Sequence, residues 1–305
     1  MGVRLEGSTQ QTYRILKPSN ARVLNVHPNT KVGTTDGRDI LVDIHLPNGD
    51  APAPLVVFAH GFKGFKDWGT WAAIGEAFVE AGYAFVRFNF SHNGTTPDDP
   101  SSFGDLHAFG ENNYSRELHD LDTLVSWLQQ PGHTPDHILT DDLTLIGHSR
   151  GGATVLLFAE RDARVSRLIT WAAVSRADYA WHKPGFVEEW ALAGVYYVRN
   201  GRTGQDMPLH YQFYQDFEQR RIAYDTERAS KALDKPWLIV HGTKDPAVSD
   251  GAAKQLHEWQ PTAQLHLIEG GDHVFGGQHP FEGDALPEHT RELVEVSLRF
   301  LATDF

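Results

Sequence analysis

The chain has 305 residues, a formal net charge of −13 and no cysteine, and 40% of its residues are hydrophobic. This length allows one large core or two domains, and a composition without low-complexity tracts argues against disorder. The acidic balance argues against a nucleic-acid-binding protein, because phosphate binding needs a concentrated basic face. The absence of cysteine excludes disulfides, thiolate chemistry and zinc–cysteine sites.

No apolar run reaches the length of a membrane span, and the first residues lack the apolar core of a secretory signal. We therefore expect no membrane span and a cytoplasmic location. The chain contains 17 histidines, but none falls in a tight ligand spacing. The pair His133 and His137 lies in a turn rich in proline and aspartate, so we expect no metal and no other cofactor.

The first predicted elements are strands. Residues 12–16 are consistent with an edge strand. Residues 22–26 and 39–46 alternate apolar and polar side chains on either side of a turn at 34–37, which predicts an antiparallel hairpin. Residues 55–59 are continuously apolar, which is typical of a strand buried on both faces.

Helices and strands then alternate. Helical spacing of apolar residues and strand-like runs predict, in chain order, helix 68–81, strand 83–88, helix 115–130, strand 143–146 and strand 168–172. After an interruption, the same reasoning predicts strand 237–241, helix 250–259, strand 264–268 and helix 287–301. Asp250 is expected to cap helix 250–259. This order predicts a mostly parallel sheet with helices on both faces, whose reactive site lies at the carboxyl ends of the strands.

An aromatic-rich segment interrupts this alternation. Strand-like runs at 195–198 and 209–213 flank a glycine-containing turn and predict a hairpin. An insert at the carboxyl end of a strand covers the site, so we predict a helix-plus-hairpin cap at residues 174–234 between core segments 1–173 and 235–305. Most of its aromatic residues are expected to pack the cap onto the core. Candidate substrate contacts are Trp181, Tyr197 and Tyr211, with His148 from the core.

The sequence Gly147-His148-Ser149-Arg150-Gly151 lies between a predicted strand and a helical run. The short motif alone has little weight, but in this context a serine between two glycines indicates a G-x-S-x-G nucleophile elbow. Glycine lets strand and helix approach closely, and the helix N-terminus favours negative charge. We expect Ser149 to be a nucleophile and the N–H of Arg150 to be one donor of an oxyanion hole.

A serine nucleophile needs a base, and an acid must orient that base. Asp245 follows the strand predicted at 237–241, and His273 follows the next strand. The order serine, acid, histidine along the chain fits a triad of Ser149, Asp245 and His273. Three alternatives stay open, one acid and two bases: Glu269, His266 and His279.

The second oxyanion donor is expected in the loop that follows the strand at 55–59. This loop reads His60-Gly61-Phe62-Lys63-Gly64, and its glycines allow close approach to a substrate. We expect the N–H of Phe62 to act with that of Arg150. A simple glycine-rich turn is the alternative, and Lys63 and Lys66 are expected to be solvated charges.

These motifs resemble those of the α/β-hydrolase superfamily. They are similar to motifs of bacterial cinnamoyl or feruloyl esterases and of dienelactone-hydrolase-like and serine-aminopeptidase-like enzymes: G-H-S-x-G-G at 147–152, H-G-F at 60–62, V-R-F-N-F at 86–90, H-G-T-x-D at 241–245 and L-H-L-I-E-G-x-D-H at 265–273. The resemblance covers about residues 20–304. It implies an α/β-hydrolase fold and a serine esterase that cleaves short or aromatic acyl esters through an acyl-enzyme.

One departure from that family affects the acyl pocket. Such enzymes often have G-H-G after the V-R-F strand, whereas this chain has Ser91-His92-Asn93-Gly94 and a long loop to residue 113. We expect this loop to reshape the pocket. The expected partner is a small-molecule ester bound by a monomer or homodimer.

Other functions remain open. A peptidase or a thioesterase can use the same triad, and some members of the fold bind ligands without catalysis. A haloalkane dehalogenase or epoxide hydrolase is disfavoured, because those sites need a carboxylate at the position of Ser149. The joint presence of a serine, an acid and a histidine favours an enzyme.

Overall fold

A computed structural model describes residues 25–178, 181 and 183–303. The edge strand expected at 12–16 and the first residues of the hairpin strand expected at 22–26 lie outside this range. The described strands are β1 (Asn25–Gly33), β2 (Asp39–Leu46), β3 (Ala53–Ala59), β4 (Ala84–Asn89), β5 (Ile138–His148), β6 (Val165–Trp171), β7 (Val195–Arg199), β8 (Asp206–His210), β9 (Trp237–Gly242) and β10 (Gln264–Ile268).

The helices lie between and after these strands. They are α1 (Trp71–Glu80), α2 (Leu106–Glu111), α3 (Tyr114–Leu128), α4 (Arg150–Arg161), α5 (Phe186–Ala193), α6 (Gln212–Gln219), α7 (Thr226–Ala232), α8 (Gly251–Trp259) and α9 (Glu288–Leu301). Within the described residues, no helix is long and apolar enough to cross a membrane.

The central sheet has eight strands in the order β1-β2-β4-β3-β5-β6-β9-β10. β2 pairs antiparallel with β1 and with β4, and the other neighbours pair in parallel. Every residue of β4 is buried, as expected for a strand covered on both faces. The predicted mostly parallel sheet is confirmed. The N-terminal antiparallel hairpin also forms, but its first strand runs through residues 25–33, of which the strand expected at 22–26 covers only the start.

Helices cover both faces of the sheet. Apolar residues of α1 and α9, such as Ile74 and Leu293, pack on one face. Those of α3, α4 and α8, such as Leu121, Leu157 and Leu256, pack on the other. This arrangement confirms the α/β-hydrolase fold predicted from the motifs. Helical periodicity places one apolar stripe of each helix against the sheet.

The segment between β6 and β9 contains α5, the hairpin β7–β8, α6 and α7. β7 and β8 pair with each other in a separate antiparallel sheet. Trp190 of α5 is buried and its Nε1–H donates to the main-chain oxygen of Leu209 at 2.8 Å. Helix and hairpin are therefore joined, in the region where the sequence predicts a cap.

Two local expectations were wrong. The segment after β4 is not wholly a loop, because α2 forms within it, with the Asp105 carboxylate accepting from the N–H of Ala108 at 2.9 Å. A helix of only 6 residues with Gly110 inside it leaves no periodic pattern to detect. Asp250 precedes α8, but its carboxylate binds Lys254 at 2.7 Å instead of capping the helix.

A buried ion network supports the loop after β3. Lys66 is 1% exposed, so the expectation of a solvated charge was wrong for this residue. Its Nζ lies 2.8 Å from Asp43 Oδ2 and 2.6 Å from Asp67 Oδ2. Arg87 contacts the same two carboxylates and donates to the main-chain oxygen of Lys66 at 2.7 Å. The loop is thereby fixed to β2 and β4.

Replacing Lys66 should therefore destabilise the fold. We expect Lys66→Met to lower the free energy of unfolding by roughly 3–5 kcal/mol, the usual effect of breaking a buried charge network on one side. Lys31→Met is the matched control, since the Lys31–Asp39 pair spans 3.8 Å with the Lys31 side chain 58% exposed and should contribute less than about 1 kcal/mol. Urea unfolding measures both, and equal losses would contradict a special role for Lys66.

Candidate active site

Ser149 occupies a strained turn between β5 and α4. Its φ of 56° and ψ of −121° are unusual for a residue with a side chain, and such strain costs about 1–3 kcal/mol. Its N–H donates to the main-chain oxygen of Trp171 at 2.9 Å, and its own oxygen accepts from the N–H groups of Gly152 and Val174 at 3.0 and 3.4 Å. These contacts hold the turn that the motif predicts.

The loop after β3 lies directly against this turn. A methyl group added to Gly61 would be 2.8 Å from Cβ of Ser149, and one added to Gly151 would be 2.4 Å from the main-chain oxygen of His60. Both distances are below van der Waals contact, so both positions need glycine. The two expected oxyanion donors therefore belong to segments in direct contact.

Asp245 and His273 are in hydrogen-bond contact. His273 Nδ1 lies 2.7 Å from Asp245 Oδ2, and the Asp245 side chain is shielded from solvent while that of His273 is 20% exposed. Asp245 follows β9 and His273 follows β10, which are parallel neighbours. Parallel strands end at the same edge of the sheet, which brings the two loops together.

Asp245 is held in its ionised form. Burial alone would raise the pKa of Asp245, but hydrogen bonds from His241, from His273 and from the N–H of Val248 outweigh it and hold this pKa well below its usual range. His241 Nε2 lies 3.2 Å from Asp245 Oδ2. Sequence reasoning missed His241 as a partner, although it is the first residue of the H-G-T-x-D motif.

His148, the residue before Ser149, contacts the main chain of His273. Among the described residues no hydrogen bond joins Ser149 to His273 directly, and catalytic hydrogen bonds of this kind commonly tighten only when substrate is bound. His148 Nε2 donates to the main-chain oxygen of His273 at 2.8 Å, and burial lowers the pKa of His148 to about 3. His148 is 6% exposed and its imidazole contacts the main chain of His273, so the substrate contact expected of His148 stays a prediction.

The alternative acid and bases have other surroundings. Glu269 is exposed. His266 Nε2 contacts Glu292 at 2.7 Å, and His279 Nδ1 accepts from a main-chain N–H at 3.0 Å. At this edge of the sheet, the carboxylate in contact with His273 is therefore that of Asp245.

The cap residues expected to contact substrate differ in exposure. Trp181 is 8% exposed and packs edge-on against Phe213 with ring centroids 5.4 Å apart, so it belongs to an aromatic cluster of the segment between β6 and β9. Tyr211 is half-buried and stacks on Tyr214 at 5.5 Å. Tyr197 is 56% exposed. Of these three, Tyr197 and Tyr211 keep accessible surface.

The buried Arg150 side chain connects the turn at Ser149 to α3, to the loop after β3 and to α6. The Arg150 side chain, 6% exposed, contacts Glu117 at 2.5 Å, and Glu117 also accepts from the Thr154 hydroxyl. The Arg150 guanidinium lies over the rings of Phe62 at 4.9 Å and Phe213 at 5.5 Å. This stacking fixes the position of Phe62, an expected oxyanion donor.

A second serine, histidine and aspartate meet in the segment after β4. The Ser91 hydroxyl lies 2.8 Å from His92 Nδ1 and donates to Asp120 at 3.0 Å, with all three residues buried. Burial raises the pKa of Asp120 to about 7, and burial together with Arg116 lowers the pKa of His92 to about 4. Within the described residues the Asp120 carboxylate bonds to Ser91 and not to the His92 imidazole, and Arg116 lies 3.0 Å from His92 Nε2. The grouping therefore lacks the contact between its own acid and imidazole that orients a general base.

Three possible metal ligands that the sequence did not reveal also come together. His107 and Glu111 of α2 lie beside His210 of β8. His107 and Glu111 are four residues apart, but His210 lies far along the chain, so no local spacing pointed to the cluster.

Comparisons with known proteins agree with this architecture. A family model described as the alpha/beta hydrolase family matches residues 56–283. The 2-hydroxymuconate semialdehyde hydrolase of Pseudomonas sp. (strain CF600) is 23% identical over 260 residues, which cover 76% of this chain and 85% of the relative. The 2,6-dihydropseudooxynicotine hydrolase of Paenarthrobacter nicotinovorans is 24% identical over 78% of this chain and 57% of its own length.

A solved structure shares the fold. Est1E from Butyrivibrio proteoclasticus, determined with bound ferulic acid, matches with a TM-score of 0.64 and 20% identity over 89% of this chain and 97% of Est1E. At this identity the match shows the architecture alone.

The protonation of Asp120 should appear in the pH dependence of stability. The folded protein retains a proton that the unfolded chain releases above a pH of about 4, so the free energy of unfolding should fall as pH rises toward about 7, by at most about 1.4 kcal/mol per unit from this group. Asp120→Asn should remove this fall, whereas Asp98→Asn, at an exposed position, should not. Denaturant unfolding at several pH values measures it, and an unchanged slope in Asp120→Asn would contradict the assignment.

Proposed function

This chain belongs to the alpha/beta hydrolase family, and we propose that within it the protein is a serine esterase for carboxylic esters of short or aromatic acids. The observation that carries the proposal is the 2.7 Å contact of His273 with an ionised, shielded Asp245, at the edge of the sheet where Ser149 occupies a strained turn. An oriented imidazole beside a serine elbow is the arrangement needed for nucleophilic acyl transfer.

The proposed reaction has two halves. Ser149 Oγ attacks the ester carbonyl carbon while Nε2 of His273 accepts the hydroxyl proton, and Asp245 stabilises the resulting imidazolium through Nδ1. The N–H groups of Phe62 and Arg150 donate to the oxyanion. His273 then returns the proton to the departing alcohol, which leaves an acyl group on Ser149, and a water molecule repeats the sequence to release the acid.

Aromatic side chains beside the oxyanion loop support the proposed acyl specificity. Phe62 packs on Phe109 with ring centroids 5.3 Å apart, and Phe109 packs on Phe103 at 5.9 Å. These rings come from the loop after β3 and from the segment containing α2. Phe103 and Phe109 are buried, so the half-buried Phe62 is the ring of the three that keeps accessible surface. An apolar ring next to the proposed oxyanion donors favours a short or aromatic acyl group over a charged one.

Ser149→Ala tests the nucleophile, and the second serine grouping supplies its control. We expect Ser149→Ala to lower hydrolysis of p-nitrophenyl acetate or butyrate by more than about 10³-fold and to lose labelling by a fluorophosphonate probe. Ser91→Ala should retain labelling and activity. Substantial activity in Ser149→Ala would overturn the mechanism, and failure of the folded wild-type protein to label would favour a non-catalytic ligand-binding protein.

The same assay with matched ester, amide and thioester substrates addresses the leaving group. We expect the highest kcat/KM for the ester. A higher value for the amide or the thioester would instead identify a peptidase or a thioesterase that uses the same residues.

Arg150→Lys tests whether the guanidinium positions Phe62. Lysine keeps the charge but loses the planar group that stacks on the ring and binds Glu117, so we expect kcat to fall about tenfold, or about 1.4 kcal/mol, with little change in KM. Arg164→Lys is the matched control, because Arg164 binds Asp162 and lies 5.8 Å over Phe158 in another part of the fold. A raised KM at constant kcat would instead indicate that Arg150 contacts substrate.

A further inference from the structure

We infer that His107, Glu111 and His210 form a binding site for a divalent transition-metal ion of the zinc type, which joins α2 to the cap hairpin. The inference does not depend on the proposed esterase activity. It replaces the expectation from sequence that the chain holds no metal.

The three side chains already converge. Each offers a ligand atom, and these atoms all lie within 4.8 Å of one another. His107 and Glu111 are four residues apart on α2 and so share one face of the helix. His210 Nδ1 lies 2.5 Å from Glu111 Oε1, and the rings of His107 and His210 have centroids 5.8 Å apart.

The backbone of α2 is shaped to receive the His210 ring. A methyl group added to Gly110 would lie 2.6 Å from His210 Nε2 and within 3 Å of two ring carbons. Glycine inside a helix is destabilising relative to alanine, and here it lets the imidazole lie directly against the helix. The backbone of α2 therefore forms one side of the site, in addition to the three side chains that offer ligand atoms.

Contacts that need no ion hold the two elements together. Gln212, two residues after His210, donates from Nε2 to the main-chain oxygens of Gly110 at 3.2 Å and Asn112 at 3.0 Å. Asn113 donates in turn to Gln212 Oε1 at 2.7 Å. Metal binding at such a site loses little conformational freedom, because its ligands are already positioned.

The donor set selects the class of ion. Two imidazoles and one carboxylate suit zinc and its neighbours, whereas magnesium and calcium prefer sets of oxygen ligands. A cation bound between His210 Nδ1 and Glu111 Oε1 would replace the direct contact that joins them in its absence. His107 and Glu111 also line a surface pocket of about 460 Å³ with Arg38 and Arg116, so the ion can enter from solvent.

Calorimetric titration of the full chain, free of affinity tags and treated with a chelator, tests the site with ZnCl₂. We expect one zinc ion per chain, with the affinity reduced at least tenfold by His107→Ala and by His210→Ala. His27→Ala is the control, since His27 is an exposed histidine on β1 and its loss should leave the affinity unchanged. Absence of saturable binding at micromolar zinc, or equal binding by the His107→Ala variant, would overturn the inference.

Two further measurements separate metal binding from damage to the cap. Glu111→Gln preserves the shape of the side chain, so its metal-free melting temperature should match that of the wild-type protein while its zinc affinity falls. Zinc should raise the melting temperature of the wild-type protein by linkage and not that of His107→Ala. Visible absorption bands of bound Co²⁺ should likewise require both histidines, and bands that persist in both single variants would place the ion elsewhere.

Discussion

The strained turn at Ser149 is the constraint around which this region of the structure is arranged. A residue with a side chain keeps a positive φ only where its surroundings leave no alternative. Here the main chain of β6, the start of α4 and the loop after β3 all contact the turn. The loop approaches the turn so closely that Gly61 has no room for a side chain. The buried charges of Lys66 and Arg87 hold the loop in this position. The ion network therefore holds the loop while the hydrogen bonds of Ser149 hold the turn, and both stabilise the close contact between them.

Protonation distinguishes the two groupings of serine, histidine and aspartate. Asp245 accepts from the N–H groups of Ala247 and Val248 and contacts two imidazoles, so it stays ionised despite its burial. Asp120 receives hydrogen bonds only from Ser91 within the described residues, and burial raises its pKa to about 7. The residue types are the same, and the number of hydrogen bonds to each carboxylate decides which aspartate can stabilise an imidazolium.

The sequence predicted features that depend on local pattern or on chain order. Periodicity indicated the buried strands and long helices. Because Ser149, Asp245 and His273 each follow a predicted parallel strand, the sequence also indicated that they lie at the same edge of the sheet. It missed features that depend on distant partners. Lys66 is buried because Asp43, 23 residues away in the chain, accepts a hydrogen bond from its Nζ; Arg87 shares the same carboxylate. His210 meets Glu111 across 99 residues, a contact that neither segment reveals alone, and α2 is too short to show periodicity.

The segments expected to select substrate are in contact with the loop that carries the proposed oxyanion donor. Lys63 Nζ donates to the main-chain oxygen of Arg199 at 3.2 Å, and the Arg202 guanidinium lies 5.4 Å from the centre of the Phe65 ring. Both arginines belong to the cap hairpin or its turn. The hairpin and the loop after β3 are therefore joined by side-chain contacts, in addition to the ion network that fixes the loop to β2 and β4. The inferred metal ligand His210 ends the same hairpin, and an ion bound there would join the hairpin to α2 as well.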